Sequence, residues 1–120
     1  MQRLNSTGSF WIDNYGNYYS YSTKMTDEYK GEYFKNVSYY STTTSQHQSK
    51  IPYADFFHQL RVCPYGNWNI KNEIINEIEY CKKEIKIRLT KRKTKQNLEA
   101  IKNEVLKRRY LIKLLENNGD

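Results

Sequence analysis

From Trp68 to the C-terminus, apolar residues recur at a helical interval. Ile70, Ile74, Ile78, Cys81, Ile85 and Leu89 follow one another by four, four, three, four and four residues, a continuous stripe on one helix face. Leu98, Ile101, Val105, Ile112 and Leu115 make a second stripe, with Arg108 at its missing position. Extending the first stripe lands on Arg92, Lys95 and Glu99, so the two are out of phase. A straight helix would place them on different faces, whereas two antiparallel helices, about 69–89 and 96–117, bury both. The connection Thr90-Lys91-Arg92-Lys93-Thr94-Lys95 has no Gly or Pro to force a turn, which leaves one long coiled-coil helix as the alternative.

Before Trp68 the pattern is that of strands. Phe10-Trp11-Ile12 reads as a short strand and Asp13-Asn14-Tyr15-Gly16-Asn17 as a turn. Tyr18 to Met25 is dense in Tyr, Ser and Thr, which suit a pleated surface. Lys30-Gly31 turns the chain again. Glu32 to Tyr40 then places Tyr33, Val37 and Tyr39 on one alternation and Phe34, Ser38 and Tyr40 on the other. The reading is a three-stranded antiparallel meander, with a fourth strand left open. A short helix is expected at about 44–50, ending before Pro52. Ala54 to Val62 fits either a helical turn or another strand, and Pro64-Tyr65-Gly66-Asn67 reads as a turn.

The predicted class is therefore α+β: a small antiparallel β-meander (1–67), then a C-terminal antiparallel helical hairpin (68–120), coiled-coil-like. Tyr110, Leu111, Ile112, Leu114 and Leu115 crowd the end of the second helix, beside Ile70, Ile74 and Ile75 at the start of the first. That base carries more apolar surface than two helices need for each other, and three strands need cover. The base is expected to pack on the tyrosine-rich sheet, with Trp68 in the contact.

Charge divides the chain at the same place. Residues 1–60 hold five basic and five acidic groups, and residues 61–120 hold fifteen and eight, so the whole net charge of +7 lies in the C-terminal half. Lys82, Lys83, Lys86, Arg88, Lys91, Arg92, Lys93 and Lys95 stand against Glu84 alone within residues 82–95. Repulsion at that density costs stability. Such a cluster suits a phosphate backbone or an acidic protein face, although lysines also simply solvate helix surfaces. These eight residues are the candidate partner- or nucleic-acid-binding site. No apolar run approaches the ~18 residues that span a membrane. Residues Met1–Gly8 show no apolar stretch of secretory type, so a cytoplasmic location with reduced cysteines is expected.

Catalytic and metal chemistry find little footing. His47, His58, Cys63 and Cys81 have no metal-ligand spacing, and Cys81 falls on the apolar stripe as a small hydrophobe. His58 and Cys63 could pair as base and nucleophile, but no third group orients them. Tyr18, Tyr19, Tyr21, Tyr33, Tyr39 and Tyr40 offer a base-stacking platform or, more simply, core and exposed sheet. No Gly-rich phosphate loop occurs. No catalytic residue, metal or cofactor is expected.

The run Tyr39-Tyr40-Ser41-Thr42-Thr43-Thr44-Ser45-Gln46-His47-Gln48-Ser49-Lys50 resembles a segment of small uncharacterised proteins from phages and prophages of low-GC Gram-positive bacteria, where it also follows Tyr-rich strands. Tyr65-Gly66-Asn67-Trp68-Asn69-Ile70, leading into charged helices, is similar too. The resemblance implies a mobile-element origin and an antagonist of host machinery, of the anti-CRISPR kind. The expected function is non-catalytic inhibition of a host defence or nucleic-acid-processing complex through the basic hairpin. The alternative is a nucleic-acid-binding accessory or regulatory protein. The partner would be a host protein or ribonucleoprotein complex, with DNA or RNA backbone contact and no membrane. Oligomeric state stays open, a dimer through the helices included.

Overall fold

The computed structural model describes residues 1–62 and 66–116, and the chain forms two compact units, Met1–Glu73 and Ile74–Asp120. In the first unit, strands β1 (Gln2–Arg3), β2 (Phe10–Ile12), β3 (Tyr18–Ser20) and β4 (Thr23–Lys24) form one antiparallel sheet in chain order. The β2–β3 turn closes on Asp13, whose Oδ1 accepts the backbone N–H groups of Tyr15 and Asn17, both at 2.9 Å. The stretch Tyr18–Met25 makes two strands because Tyr21 takes a left-handed φ of 55°. Its amide donates to Ser9 O and its carbonyl accepts the Trp11 indole N–H at 2.7 Å, which hold the reversal in place.

A second sheet follows. Strands β5 (Thr26–Tyr29) and β6 (Glu32–Asn36) are an antiparallel hairpin, and β7 (His58–Leu60) joins β6 in parallel. Their turn, Lys30-Gly31, has positive φ at both residues, the twist that two-residue hairpins favour. Met25 connects the two sheets through its backbone. Its N–H donates to Tyr18 O and its C=O accepts Asn36 N–H, each at 2.7 Å. Buried Phe10, Met25 and Ile51 form one core cluster, with Tyr18, Tyr40, Ala54 and Phe57 against it, and Phe34 and Leu60 are fully buried as well.

Helix α1 (Thr42–Ser49) begins at the cap Ser41, whose hydroxyl accepts Thr44 N–H at 3.1 Å. The segment that fitted a helical turn or a strand supplies both: a 3-10 turn at Ala54–Phe56, then β7. The antiparallel strands preceding two C-terminal helices are as the sequence predicts, with the strands divided between two sheets and one of them parallel. Of the expected turn at 64–67, Pro64 and Tyr65 lie outside the described residues, as does residue 117 at the expected helix end.

Helices α2 (Ile70–Leu89) and α3 (Lys95–Glu116) pack against each other as a hairpin, so the single long helix does not form. The α2 stripe behaves as its spacing predicts over Ile74, Ile78 and Cys81, all buried. The α3 stripe requires a correction: Leu98 is 50% exposed, whereas Leu111, outside the stripe, is 1% exposed. The reason lies in a polar layer between the helices. Buried Glu77 on α2 accepts Lys107 on α3 at 2.9 Å, which brings that side of α3 inward. Trp68 belongs to the first unit, where its indole N–H donates to Lys24 O at 2.7 Å.

Candidate polyanion-binding site

The eight cations singled out in the sequence fall on the second half of α2, the turn after it and the first residue of α3, and the local chain explains how they are placed. On α2, residues 82, 83 and 86 lie within about 100° of helical arc. Lys82, Lys83 and Lys86 are all exposed there, and Glu79 shares the same exposed arc. One turn further on, Arg88 is partly buried. Its Nε lies 3.6 Å from Glu84 and its Nη1 donates to Asn97 Oδ1 at 3.1 Å.

The helix then stops without Gly or Pro. The Thr90 hydroxyl donates to Ile87 O at 2.6 Å, and the amides of Thr90 and Lys91 turn back onto Ile87 O and Arg88 O. Asn97 completes the closure from the other helix. Its Nδ2 donates to Arg88 O at 3.1 Å and to Arg92 O at 2.9 Å. Thr94 caps α3, its hydroxyl accepting Asn97 N–H at 3.1 Å. Asn97 is the residue that sequence reasoning missed. A signal was present in Thr94-Lys95-Gln96-Asn97, a capping residue three positions before a side chain able to reach back across the turn.

The turn gathers part of the cation set. Arg88, Lys91 and Arg92 line a concavity of about 300 Å3 together with Thr94, Gln96 and Asn97. Lys93 and Lys95 are exposed beside it. Between Glu84 and Glu99 the chain carries six cations and no carboxylate. The arrangement can attract an extended polyanion and offers guanidinium and ammonium donors to its oxygens.

The other candidates are placed elsewhere. His47 is buried, its Nδ1 2.7 Å from Ser20 Oγ, which also lies 3.0 Å from Thr44 Oγ1, and its ring stacks on Phe10 at 5.0 Å. Burial, then the charge of Lys50, lowers its pKa. Ser20 is 1% exposed, and His47 also lines a concavity with Leu4, Asn5, Phe10, Tyr18, Lys50 and Pro52. His58 lies 3.4 Å from Glu32, and Cys63, its proposed nucleophile, is outside the described residues. Burial pushes the Cys81 thiol up to about 12, helped by Glu104 and Glu77. Among the described residues no three His, Cys, Asp or Glu side chains are grouped to hold a metal ion, and no helix is long and apolar enough to cross a membrane.

The six tyrosines do not form one platform. Tyr18 and Tyr40 pack on the core, Tyr19 stacks on Trp11 at 4.1 Å, Tyr33 stacks on Phe57 at 5.5 Å, and Tyr21 and Tyr39 are exposed. Burial, followed by the charge of Asp13, raises Tyr19 to about 12. Lys24 is no surface charge either, being buried in an ion pair with Asp27 and set over the Trp68 ring. Set against known proteins, the chain matches no protein-family model, no curated sequence and no solved structure.

Proposed function

We propose that this chain is a non-catalytic binding protein of phage type that inhibits a host defence or nucleic-acid-processing complex by laying its basic hairpin on nucleic-acid phosphates. The observation that carries the reading is the turn itself, where six cations stand between Glu84 and Glu99 with no carboxylate among them. Five of the six, Lys86, Lys91, Arg92, Lys93 and Lys95, are exposed to solvent. Exposed like charges so close together repel one another, and a polyanion relieves that repulsion. The phage origin and the inhibitory role rest on the resemblance of 39–50 and 65–70 to phage proteins.

The test is binding of labelled duplex and single-stranded DNA and RNA by the full chain. Affinity should fall steeply with salt, because each neutralised phosphate releases counterions. Binding that is absent for every nucleic acid, or insensitive to salt, would refute the reading. Inhibition of a host nuclease complex, in addition to salt-dependent nucleic-acid binding, would favour the inhibitor over a plain nucleic-acid-binding regulator.

A further inference from the structure

The cations of residues 82–95 form two sets with different surroundings, and the difference narrows the function just proposed. Lys82, Lys83 and Lys86 share an exposed helical arc with Glu79, which tempers their field. Arg88, Lys91 and Arg92 converge on one concavity that no carboxylate lines. The backbone carrying this second set is closed by the Thr90 hydroxyl, the Thr94 cap and, spanning the turn, the Asn97 side chain. Asn97 ties together Arg88 O, Arg92 O and the Arg88 guanidinium, and Glu84 steadies Arg88 from behind.

From this geometry we infer that the hairpin turn is a discrete seat for one backbone phosphate of a nucleic-acid strand. Arg92 and Lys91 contact the anion, the Gln96 amide lines the rim, and Asn97 is the positioning residue. The α2 lysines add only diffuse attraction to the flanking phosphates. A guanidinium fork beside an ammonium group suits a tetrahedral oxyanion with several acceptor oxygens. Because the turn is ordered by Asn97 during folding, little ordering of the chain remains to oppose binding. A strand is favoured over an isolated carboxylate because exposed Lys93 and Lys95 stand beside the seat, and a strand supplies a charge every ~3.4 Å of helix axis.

The inference rests on the polyanion reading, and one comparison separates the two. Lys91→Gln/Arg92→Gln and Lys82→Gln/Lys83→Gln remove the same charge from seat and arc. Both are measured as full chains against one labelled duplex at about 50 and 200 mM salt, the range over which phosphate contacts weaken strongly. The seat variant should lose about ten-fold in affinity and the arc variant about three-fold or less. Equal losses would overturn the seat while leaving the polyanion reading intact. A parent chain that binds no nucleic acid at the lower salt would overturn both. Asn97→Ala removes no charge, yet it should weaken binding as the seat variant does while circular dichroism shows α2 and α3 folded. Unchanged affinity in that folded variant would overturn the positioning role, and should Asn97→Ala unfold the hairpin, Arg92→Gln alone, an exposed position, still decides the seat.

Discussion

Glu77 on α2 and Lys107 on α3 meet inside the hairpin, Oε2 to Nζ at 2.9 Å, with the carboxylate side chain 1% exposed and the ammonium side chain 26%. Taking a carboxylate so far out of water is costly unless its partner stays in place. Lys107→Met should therefore destabilise the protein by about 3 kcal/mol in urea unfolding. Replacing both partners by Leu should recover most of that loss, since no charge is then stranded. A single variant as stable as the parent would show that the pair contributes nothing to the hairpin.

His47 should make the fold sensitive to acid. Burial first, then Lys50, lowers its pKa, so the folded state prefers the neutral ring. The unfolded chain takes up the proton below about pH 6.5, where the folded chain resists it. The contribution is complete above that pH and is lost as pH falls towards the depressed folded value. Urea unfolding at pH 7.5 and 5.5 should show a loss for the parent that shrinks in His47→Gln. Equal losses in both proteins would assign the acid sensitivity to other groups.

Cys81, with its thiol pushed up to about 12 mainly by burial, should resist alkylation. In a Cys63→Ser background, iodoacetamide at pH 8 should label the folded chain at least about 100-fold more slowly than the urea-unfolded chain, because the thiolate is the nucleophile. Rapid labelling under native conditions would mean that the α2–α3 seam opens readily.

Charge removal at the turn should leave the fold intact. Changing Lys91, Arg92, Lys93 and Lys95 to Gln should shift stability by no more than about 0.5 kcal/mol, because exposed charges contribute little and mutual repulsion is relieved. Nucleic-acid association should slow, and the deficit should shrink in high salt. Lys30→Gln/Lys35→Gln, in the charge-neutral half, is the comparison. A binding loss confined to that pair would move the site to the first unit.

The helices were legible because a stripe running through twenty residues leaves little choice of period, and both observed ends fall within one residue of those expected where they are described. The sheets were harder. His58-Gln59-Leu60 is too short to show an alternation, and nothing in three residues announces that they will lie parallel to β6. The break at Tyr21 was hidden because a left-handed tyrosine depends on a hydrogen bond to Ser9 O and one from the Trp11 indole, ten or more positions away. At the candidate site the cations could be counted from the sequence. Which of them share a concavity could not, because that depends on how the turn closes, with the Asn97 side chain reaching one carbonyl at the end of α2 and one in the loop.

The backbone of Met25 has a consequence for how the first unit comes apart. One peptide N–H belongs to the four-stranded sheet and the carbonyl of the same residue belongs to the three-stranded one. Fraying either sheet back to this point loosens a residue whose other hydrogen bond orders the second sheet, beneath a side chain with no solvent exposure. The two sheets are thus welded into a single cooperative opening unit. In native-state hydrogen exchange the amides of Met25 and Asn36 should share one protection free energy, close to that of global unfolding, with no intermediate in which one sheet exchanges while the other holds.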